Sequence, residues 1–392
     1  MKWTKKGHEA DQLADTLAFT QNAHHKYYIF GAGYYGRELL HILKEYGFVT
    51  VFIDNDKEKQ NSTIEGTEVI SLDRYLDEKD GVIVIAVAAS KSMEIVKQLE
   101  DKSLKHGIHF WFNEEFQNCI LPVIFAYFYN KAYVPLAQIT LTERCSLRCR
   151  KCAHGCFAVD NRVAKDLTLQ QVYKSADSFF SKVDYIYEFV LIGGEPLLYK
   201  ELEQAICYIG ERYRRQIGIY SITTNGTLVP SEAVLAACKK YDVLFRISNY
   251  SKQLPRLRDA YQRLTTVLEK NDIAYILESE DSLWMDYGFD YLDRQAGEEE
   301  LIKVFDACRT PCREIRENRF YYCVMARSVS DNLGYNVGEN DYLDLDKLDG
   351  ENYKRELLEF TLGYSDKGYL DMCNHCHGRD AHNYPIPVAE QV

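Results

Sequence analysis

The chain has 392 residues, 46% of them hydrophobic, and a net charge of −12 with a pI of about 5.4. That length holds two or three domains with sizeable cores, and the acidic balance repels phosphate backbones, which argues against a nucleic-acid partner. The longest apolar run, Cys119 to Tyr129, has 11 residues against the ~20 that cross a bilayer, so it predicts a buried inter-domain segment and no membrane span.

The opening MKWTKKGHEADQLAD has no apolar stretch of the kind that directs secretion. Twelve cysteines without such a signal predict a cytoplasmic chain with reduced thiols. In that setting clustered cysteines hold metal or do chemistry more often than they form disulfides.

Residues 1–115 read as a small α/β domain after a polar stretch, helical or loose, over 1–26. YYIF is a strand, and GAGYYG turns into the helix RELLHILKEYG. TVFIDND and GVIVIAVAAS give two more strands. Buried parallel strands alternating with helices predict a doubly wound sheet. Gly31, Gly33 and Gly36 follow a strand and open a helix, and Asp54 ends the next strand. That is the spacing of a dinucleotide site, with phosphate at the helix N-terminus and an acid for ribose hydroxyls. Tyr34 and Tyr35 sit where a pyrophosphate would approach, which favours a scaffold that binds nothing. The domain also resembles the small Rossmann-like modules attached to sugar-modifying and sugar-acyltransferase proteins, which implies a nucleotide or nucleotide-sugar ligand as readily as NAD.

Residues 116–135 read as a linker or docking strut. Over 136–300 strands again alternate with helices: AQITLT, YIYEFVLIG, IGIYSITT, DVLFRIS and DIAYILE are the strands. Thr168 and Gln171 have the spacing of a capping box. Repeated β-α order implies parallel strands in an open sheet or partial barrel, whose sites form at the strand C-termini.

ERCSLRCRKCAHGC, Glu143 to Cys156, follows the first of these strands. Its spacing is Cys145-x3-Cys149-x2-Cys152, with Cys156 outside the pattern. Soft thiolates suit zinc or an iron–sulfur cluster. GGEP (Gly193 to Pro196) ends the second strand and TTNGT (Thr223 to Thr227) the third. These three motifs on successive strands resemble the radical S-adenosylmethionine (radical SAM) enzymes over roughly residues 137–300. The resemblance implies a partial (β/α)6 barrel in which Cys145, Cys149 and Cys152 bind a [4Fe-4S] cluster whose open iron takes SAM. Glu195 and the Gly193–Gly194 backbone would hold the SAM ammonium. Thr224, Asn225 and Ser248 would meet its ribose and carboxylate, and Glu278, at the fifth strand end, its adenine or the substrate. It also implies a flavodoxin- or ferredoxin-type reductant, and reductive SAM cleavage to a 5′-deoxyadenosyl radical that abstracts hydrogen from carbon. Cys156 reads as a buried loop thiol or as a hydrogen-atom donor to a substrate radical.

Residues 301–392 form a cysteine-rich region with Cys308, Cys312, Cys323, Cys373 and Cys376. REIRENRFYY predicts a hairpin turning at Glu317–Asn318. The pattern resembles the SPASM and shorter twitch extensions of radical SAM enzymes, with Asn318 in place of the hairpin glycine, and implies one auxiliary [4Fe-4S] cluster. Cys323, Cys373 and Cys376 are the firmer ligands; spacing favours Cys308 as the fourth, and Cys312 faces Cys323 across the hairpin. A zinc ribbon served by His375 or His377 is the alternative. SLWMDYG (Ser282 to Gly288), CNHCHGR and IPVAEQV resemble a radical SAM subgroup linked to bacterial surface-glycan gene clusters.

The expectation is thus a radical SAM enzyme acting on a sugar, nucleotide-sugar or other small glycan precursor by oxidation, dehydration or epimerisation. A peptide-modifying enzyme of the SPASM type and a non-catalytic, metal-bound scaffold are the alternatives.

Overall fold

A computed structural model describes residues 10–21, 25–308, 310–335, 338–363 and 367–392. They form two compact units, one from Ala10 to Asn130 and one from Lys131 to Val392.

The first unit is built on a six-stranded sheet. Its strands are β1 (Lys26–Phe30), β2 (Thr50–Ile53), β3 (Thr63–Ile64), β4 (Thr67–Ile70), β5 (Gly81–Ile85) and β6 (Phe110–Phe112), in the order β3-β4-β2-β1-β5-β6. All neighbours are parallel except the β3–β4 hairpin at one edge. Tyr28, Ile29 and Phe30 are buried on both faces, which explains why the strand reads as a continuous apolar run. The chain winds outward from β1 to β4, then returns to β5 on the other side. That switch point is where such sheets open a crevice. Helices α1 (Tyr34–Glu45) and α2 (Ala89–Glu100) both begin at this edge.

Two expectations are corrected here. The hairpin strands β3 and β4 and the strand β6 carry too few alternating residues to be seen in advance. The expected linker over 116–135 is instead mostly helix: the chain is helical from Asn113 to Phe128, and Leu121 through Ala126 are buried in this unit. Phe125 packs edge-on against Tyr46, with Phe48 beside it. The apolar run is therefore a core element of the first unit. Among the described residues no helix is long and apolar enough to cross a membrane.

The second unit centres on an eight-stranded sheet. Five strands come from the repeated β-α segment: β7 (Tyr133–Thr140), β8 (Tyr185–Ile192), β9 (Ile217–Thr224), β10 (Val243–Ile247) and β11 (Tyr275–Leu277). Three come from the cysteine-rich region: β13 (Arg313–Arg316), β14 (Arg319–Tyr321) and β15 (Tyr342–Asp344). The order is β11-β10-β9-β8-β7-β13-β14-β15. β13 pairs parallel with β7, so the sixth parallel strand lies beyond the expected core boundary at 300. The separate strands β12 (Leu283–Met285) and β16 (Pro385–Pro387) form an antiparallel ribbon.

Register divides this sheet into two faces. Ala137, Ile139, Phe189, Leu191, Tyr220, Ile222, Phe245 and Ile247 share one face and are fully buried. Helix α3 (Leu169–Phe180) covers part of it, with Phe179 and Phe180 against Phe189. Its capping box is formed: Thr168 Oγ1 accepts from the Gln171 amide at 3.3 Å, and Gln171 Oε1 accepts from the Thr168 amide at 3.0 Å. The opposite face carries Gln138, Thr140, Glu188, Ser221 and Arg246.

The hairpin turns at Glu317–Asn318 as expected, but Glu317 is the residue at positive φ (+54°). Asn318 instead donates its amide to Asp344 Oδ1 at 2.7 Å, tying the turn to β15.

Candidate functional site

The first cysteine loop leaves the end of β7 and is held by the ends of β8 and β9. The Gly194 and Glu195 amides donate to the Thr142 and Arg144 carbonyls, each at 2.8 Å. A Cβ on Gly193 would lie 2.7 Å from the Thr142 carbonyl oxygen. On Gly194 it would lie 2.4 Å from the Arg144 oxygen and 2.9 Å from Cys145 Cβ. The two glycines of GGEP are therefore required by the cysteine loop itself.

Glu195 is wholly buried. Its carboxylate accepts from Thr224 Oγ1 at 2.7 Å and from the amides of Asn225 and Leu197 at 2.8 and 3.1 Å. Burial pushes its pKa up to about 7, against the pull of those donors. The expected role of Glu195 and Thr224 in direct cofactor contact thus meets a physical competitor, since both already join the β8 and β9 tips. Asn225 joins that corner to the cysteines: its Nδ2 donates to Ser146 Oγ at 3.0 Å and lies 3.6 Å from Cys145 Sγ. The Ser248 amide donates to the Thr224 carbonyl at 2.9 Å, one strand further along. Glu278 is exposed just past β11, where its charge acts on Arg246.

Burial pushes the Cys145 and Cys149 thiols up to about 12 each, and the charges of Cys149 and Cys152 both act on Cys145. Cys145 Sγ accepts from the Leu147 amide at 3.4 Å, and Cys149 Sγ from Gln391 Nε2 at 3.2 Å. Cys152 is held low by its hydrogen bond with Cys156, which is itself raised by that bond and by burial. Cys156 is 4% exposed, packed between Cys152, Glu143 and the His154 carbonyl.

Among the described residues no three His, Cys, Asp or Glu side chains surround a single metal-ion position. The fit to an iron–sulfur cluster rests on the donor set: three soft thiols that iron would deprotonate, with N–H groups aimed at sulfur.

The second cysteine set sorts itself electrostatically. The charges acting on Cys323, Cys373 and Cys376 include Cys308 in every case. Those acting on Cys312 are Arg313 and Glu188, while Cys308, Cys312, Cys323 and Cys376 all act on Tyr287. The turn carrying Cys373 is pinned by buried Asp341, which accepts from the Asp371 and Met372 amides at 2.6 and 3.0 Å. His375 Nδ1 contacts the Leu292 carbonyl at 2.9 Å, and His377 Nε2 the Tyr291 hydroxyl at 3.0 Å, so neither ring points its bonded nitrogen at the thiols.

In the first unit a cleft of about 550 Å³ opens at the switch point, lined by Gly31, Gly33, Tyr34, Asp54, Lys59 and Lys91 among others. Gly31 has φ of +111°, and a Cβ there would meet Val87 and the Ala86 carbonyl. A Cβ on Gly36 would strike the Gly31 carbonyl, so that glycine serves helix–strand packing. A Cβ on Gly33 would face open space, and the exposed Tyr34 and Tyr35 line the same cleft. Asp54 accepts from the Ala32 amide at 3.0 Å and from Lys59 at 3.3 Å. Burial pulls its pKa up, but those donors and the Asp56 amide hold it below the usual value.

Three features escaped the sequence. Arg327 is buried between Glu143 and Glu314, each at 2.5 Å, and joins the two cysteine regions. The polar sheet face holds Arg246 on Glu188 at 2.5 Å, Ser221 on Glu188 at 2.8 Å, and buried Gln138, whose Nε2 has no partner among the described residues. Alternation in the strands could have exposed that face. Finally, the segments SLWMDYG, CNHCHGR and IPVAEQV converge: β12 pairs with β16, and the His377 amide donates to the Tyr287 carbonyl at 2.8 Å.

Residues 139–249 match the family model described as the radical SAM superfamily. GTP 3′,8-cyclase of Stenotrophomonas maltophilia (strain R551-3) is 33% identical over 100 residues, 24% of this chain and 28% of that protein. Molybdenum cofactor biosynthesis protein 1 of Dictyostelium discoideum is 34% identical over 93 residues, 24% of this chain and 14% of that protein. The chain thus spans less than a third of the length of these relatives. Among solved structures, BtrN in complex with AdoMet and 2-DOIA is similar at a TM-score of 0.39 and 14% identity, over 66% of this chain and 97% of that chain. Residues 139–249, on the strand ends that carry Cys145, Gly193 and Asn225, are thus a segment similar to the radical SAM superfamily, which supports an enzyme with a [4Fe-4S] cluster and S-adenosylmethionine as cofactors.

Proposed function

We propose that the chain removes hydrogen from carbon on a sugar, nucleotide-sugar or related small glycan precursor, leading to oxidation, dehydration or epimerisation. The observation that carries this reading is the joint of three strand ends around Cys145, made by Gly194, Glu195 and Asn225. When bound, the cluster and SAM supply the one-electron cleavage that starts such chemistry.

The residues of this chain would divide the work. Cys145, Cys149 and Cys152 hold the cluster, and Cys156 shares a hydrogen bond with Cys152. The backbone of Gly193 and Gly194 offers close approach to the SAM ammonium, with Glu195 holding that backbone in place. Ser248 and Glu278 border the remainder of the SAM and substrate space. Cys323, Cys373 and Cys376 hold one auxiliary [4Fe-4S] cluster, with Cys308 as the favoured fourth ligand and Cys312 the alternative.

A small hydroxylated substrate is supported by the polar sheet face. Glu188 and Arg246 balance each other's charge, and Gln138 offers an unused donor, an arrangement suited to hydroxyl groups. The cleft beside Gly33 and Asp54 supports a nucleotide-linked ligand, and two of the similar proteins are named for a nucleotide, GTP. A flavodoxin- or ferredoxin-type protein would supply electrons. The three segments that resemble glycan-cluster proteins lie together around β12 and β16.

Anaerobic incubation of the cluster-loaded chain with SAM, reductant and a panel of nucleotide-sugars tests this reading. A nucleotide-sugar that raises 5′-deoxyadenosine above the substrate-free level supports it. A rise with peptides alone overturns it in favour of peptide modification.

A further inference from the structure

The segment Ala389–Val392 lies against the first cysteine loop as a short antiparallel strap. The Arg150 amide donates to the Glu390 carbonyl at 2.6 Å, and the Val392 amide to the Arg148 carbonyl at 2.9 Å. Cys149 and Gln391 are the paired residues at its centre. β16, just before the strap, is anchored on β12, so the approach of Gln391 is fixed from both sides.

The Gln391 side chain has its three visible bonding positions occupied. Its Oε1 accepts from the Arg148 amide at 2.9 Å, and its Nε2 donates to the Ala389 carbonyl at 2.7 Å and to Cys149 Sγ at 3.2 Å. Arg148 offers a donor, so the oxygen must face it and the NH2 must face sulfur. The amide orientation is thus set by the network. Cys145 has the Leu147 amide of its own loop at 3.4 Å and the Asn225 side-chain amide at 3.6 Å, and Cys152 has the His154 and Cys156 amides. Cys149 takes its donor from a residue 242 positions away.

We infer that Gln391 is a positioning residue that tunes the cluster held by Cys145, Cys149 and Cys152, by donating a hydrogen bond to the Cys149 sulfur. This rests on the radical SAM reading above. A hydrogen bond to a cluster sulfur stabilises the added electron and raises the reduction potential. It also gives the IPVAEQV segment a task near the chemistry.

The test uses the full chain with Cys373→Ala and Cys376→Ala in the background, so that only the first cluster is read by electron paramagnetic resonance during a redox titration. Gln391→Leu removes the donor; Gln391→Glu keeps the shape but places a carboxylate against sulfur. The midpoint potential is expected to be highest in the parent, lower with Gln391→Leu and lowest with Gln391→Glu, with iron content unchanged in at least the Gln391→Glu protein. A Gln391→Glu protein with the parent's potential and full iron overturns this inference alone, whatever the Gln391→Leu protein does. Failure of the parent to assemble any four-iron cluster overturns the radical SAM reading and this inference with it.

Discussion

Arg327 Nη1 lies 2.5 Å from Glu143 Oε1, across 184 residues of sequence, and both side chains are almost fully excluded from solvent. Glu143 opens the first cysteine loop, and Arg327 sits in the first turns of the helix that follows Cys323. Glu314 faces the same guanidinium from β13. Arg316 also faces Glu143, at 3.7 Å, but Arg327 is the guanidinium in direct contact with both carboxylates. Arg327→Met is expected to cost about 3–5 kcal/mol, because it breaks a buried ion pair and leaves both carboxylates to the more distant Arg316, 3.7 Å from Glu143. Chemical denaturation of the apo chain measures this, and Glu143→Gln with Glu314→Gln in the same protein should recover part of the loss. A change below about 1 kcal/mol would remove the network from the account.

Gly194→Ala should displace Cys145. The new methyl would meet the Arg144 carbonyl and Cys145 Cβ, both backbone-fixed. Iron analysis after reconstitution should show loss of one cluster's worth, about four irons, with the auxiliary signal retained. Full iron loading would mean that the loop tolerates the methyl and that its packing against GGEP is not what places Cys145.

The four-cysteine auxiliary set makes its own distinction. Cys308→Ala should leave about four irons per chain and Cys312→Ala about eight. The reverse result would make Cys312 the ligand and would show that mutual electrostatic influence among thiols misassigned the site.

Asp341 gives a pH signature. Burial pushes its pKa up to about 7, against the pull of the Met372 and Asp371 amides. Its carboxyl is therefore taken up as the neutral acid on folding, and stability from this group falls as pH rises from about 4 to about 7, then levels. The span is at most about 4 kcal/mol. Asp341→Asn should flatten that part of the apo chain's stability profile. An unchanged slope would show that Asp341 keeps its ordinary pKa.

The first candidate site was legible in the sequence as a pattern, because Cys145, Cys149 and Cys152 lie within one loop and GGEP and TTNGT end neighbouring strands. The sequence was silent on what depends on long-range pairing. Gln391 meets Cys149, and Arg327 meets Glu143, only once the chain has folded back on itself. For Glu195 the sequence names the residue type but cannot reveal its burial or the three donors it serves. The run Cys119 to Tyr129 was read as a link between domains because apolar content does not say which core receives it. Strand β13 was seen as one side of a hairpin; that it also joins β7 follows from the free edge that β7 presents.

The central claim is tested most directly by reconstituting the full chain anaerobically with iron and sulfide, counting metal, and adding SAM and reductant. The account predicts about eight irons per chain and formation of 5′-deoxyadenosine with methionine, lost on Cys149→Ala. One or two tightly bound zinc ions, with no SAM cleavage under reductant, would contradict it and leave a structural metal-bound protein.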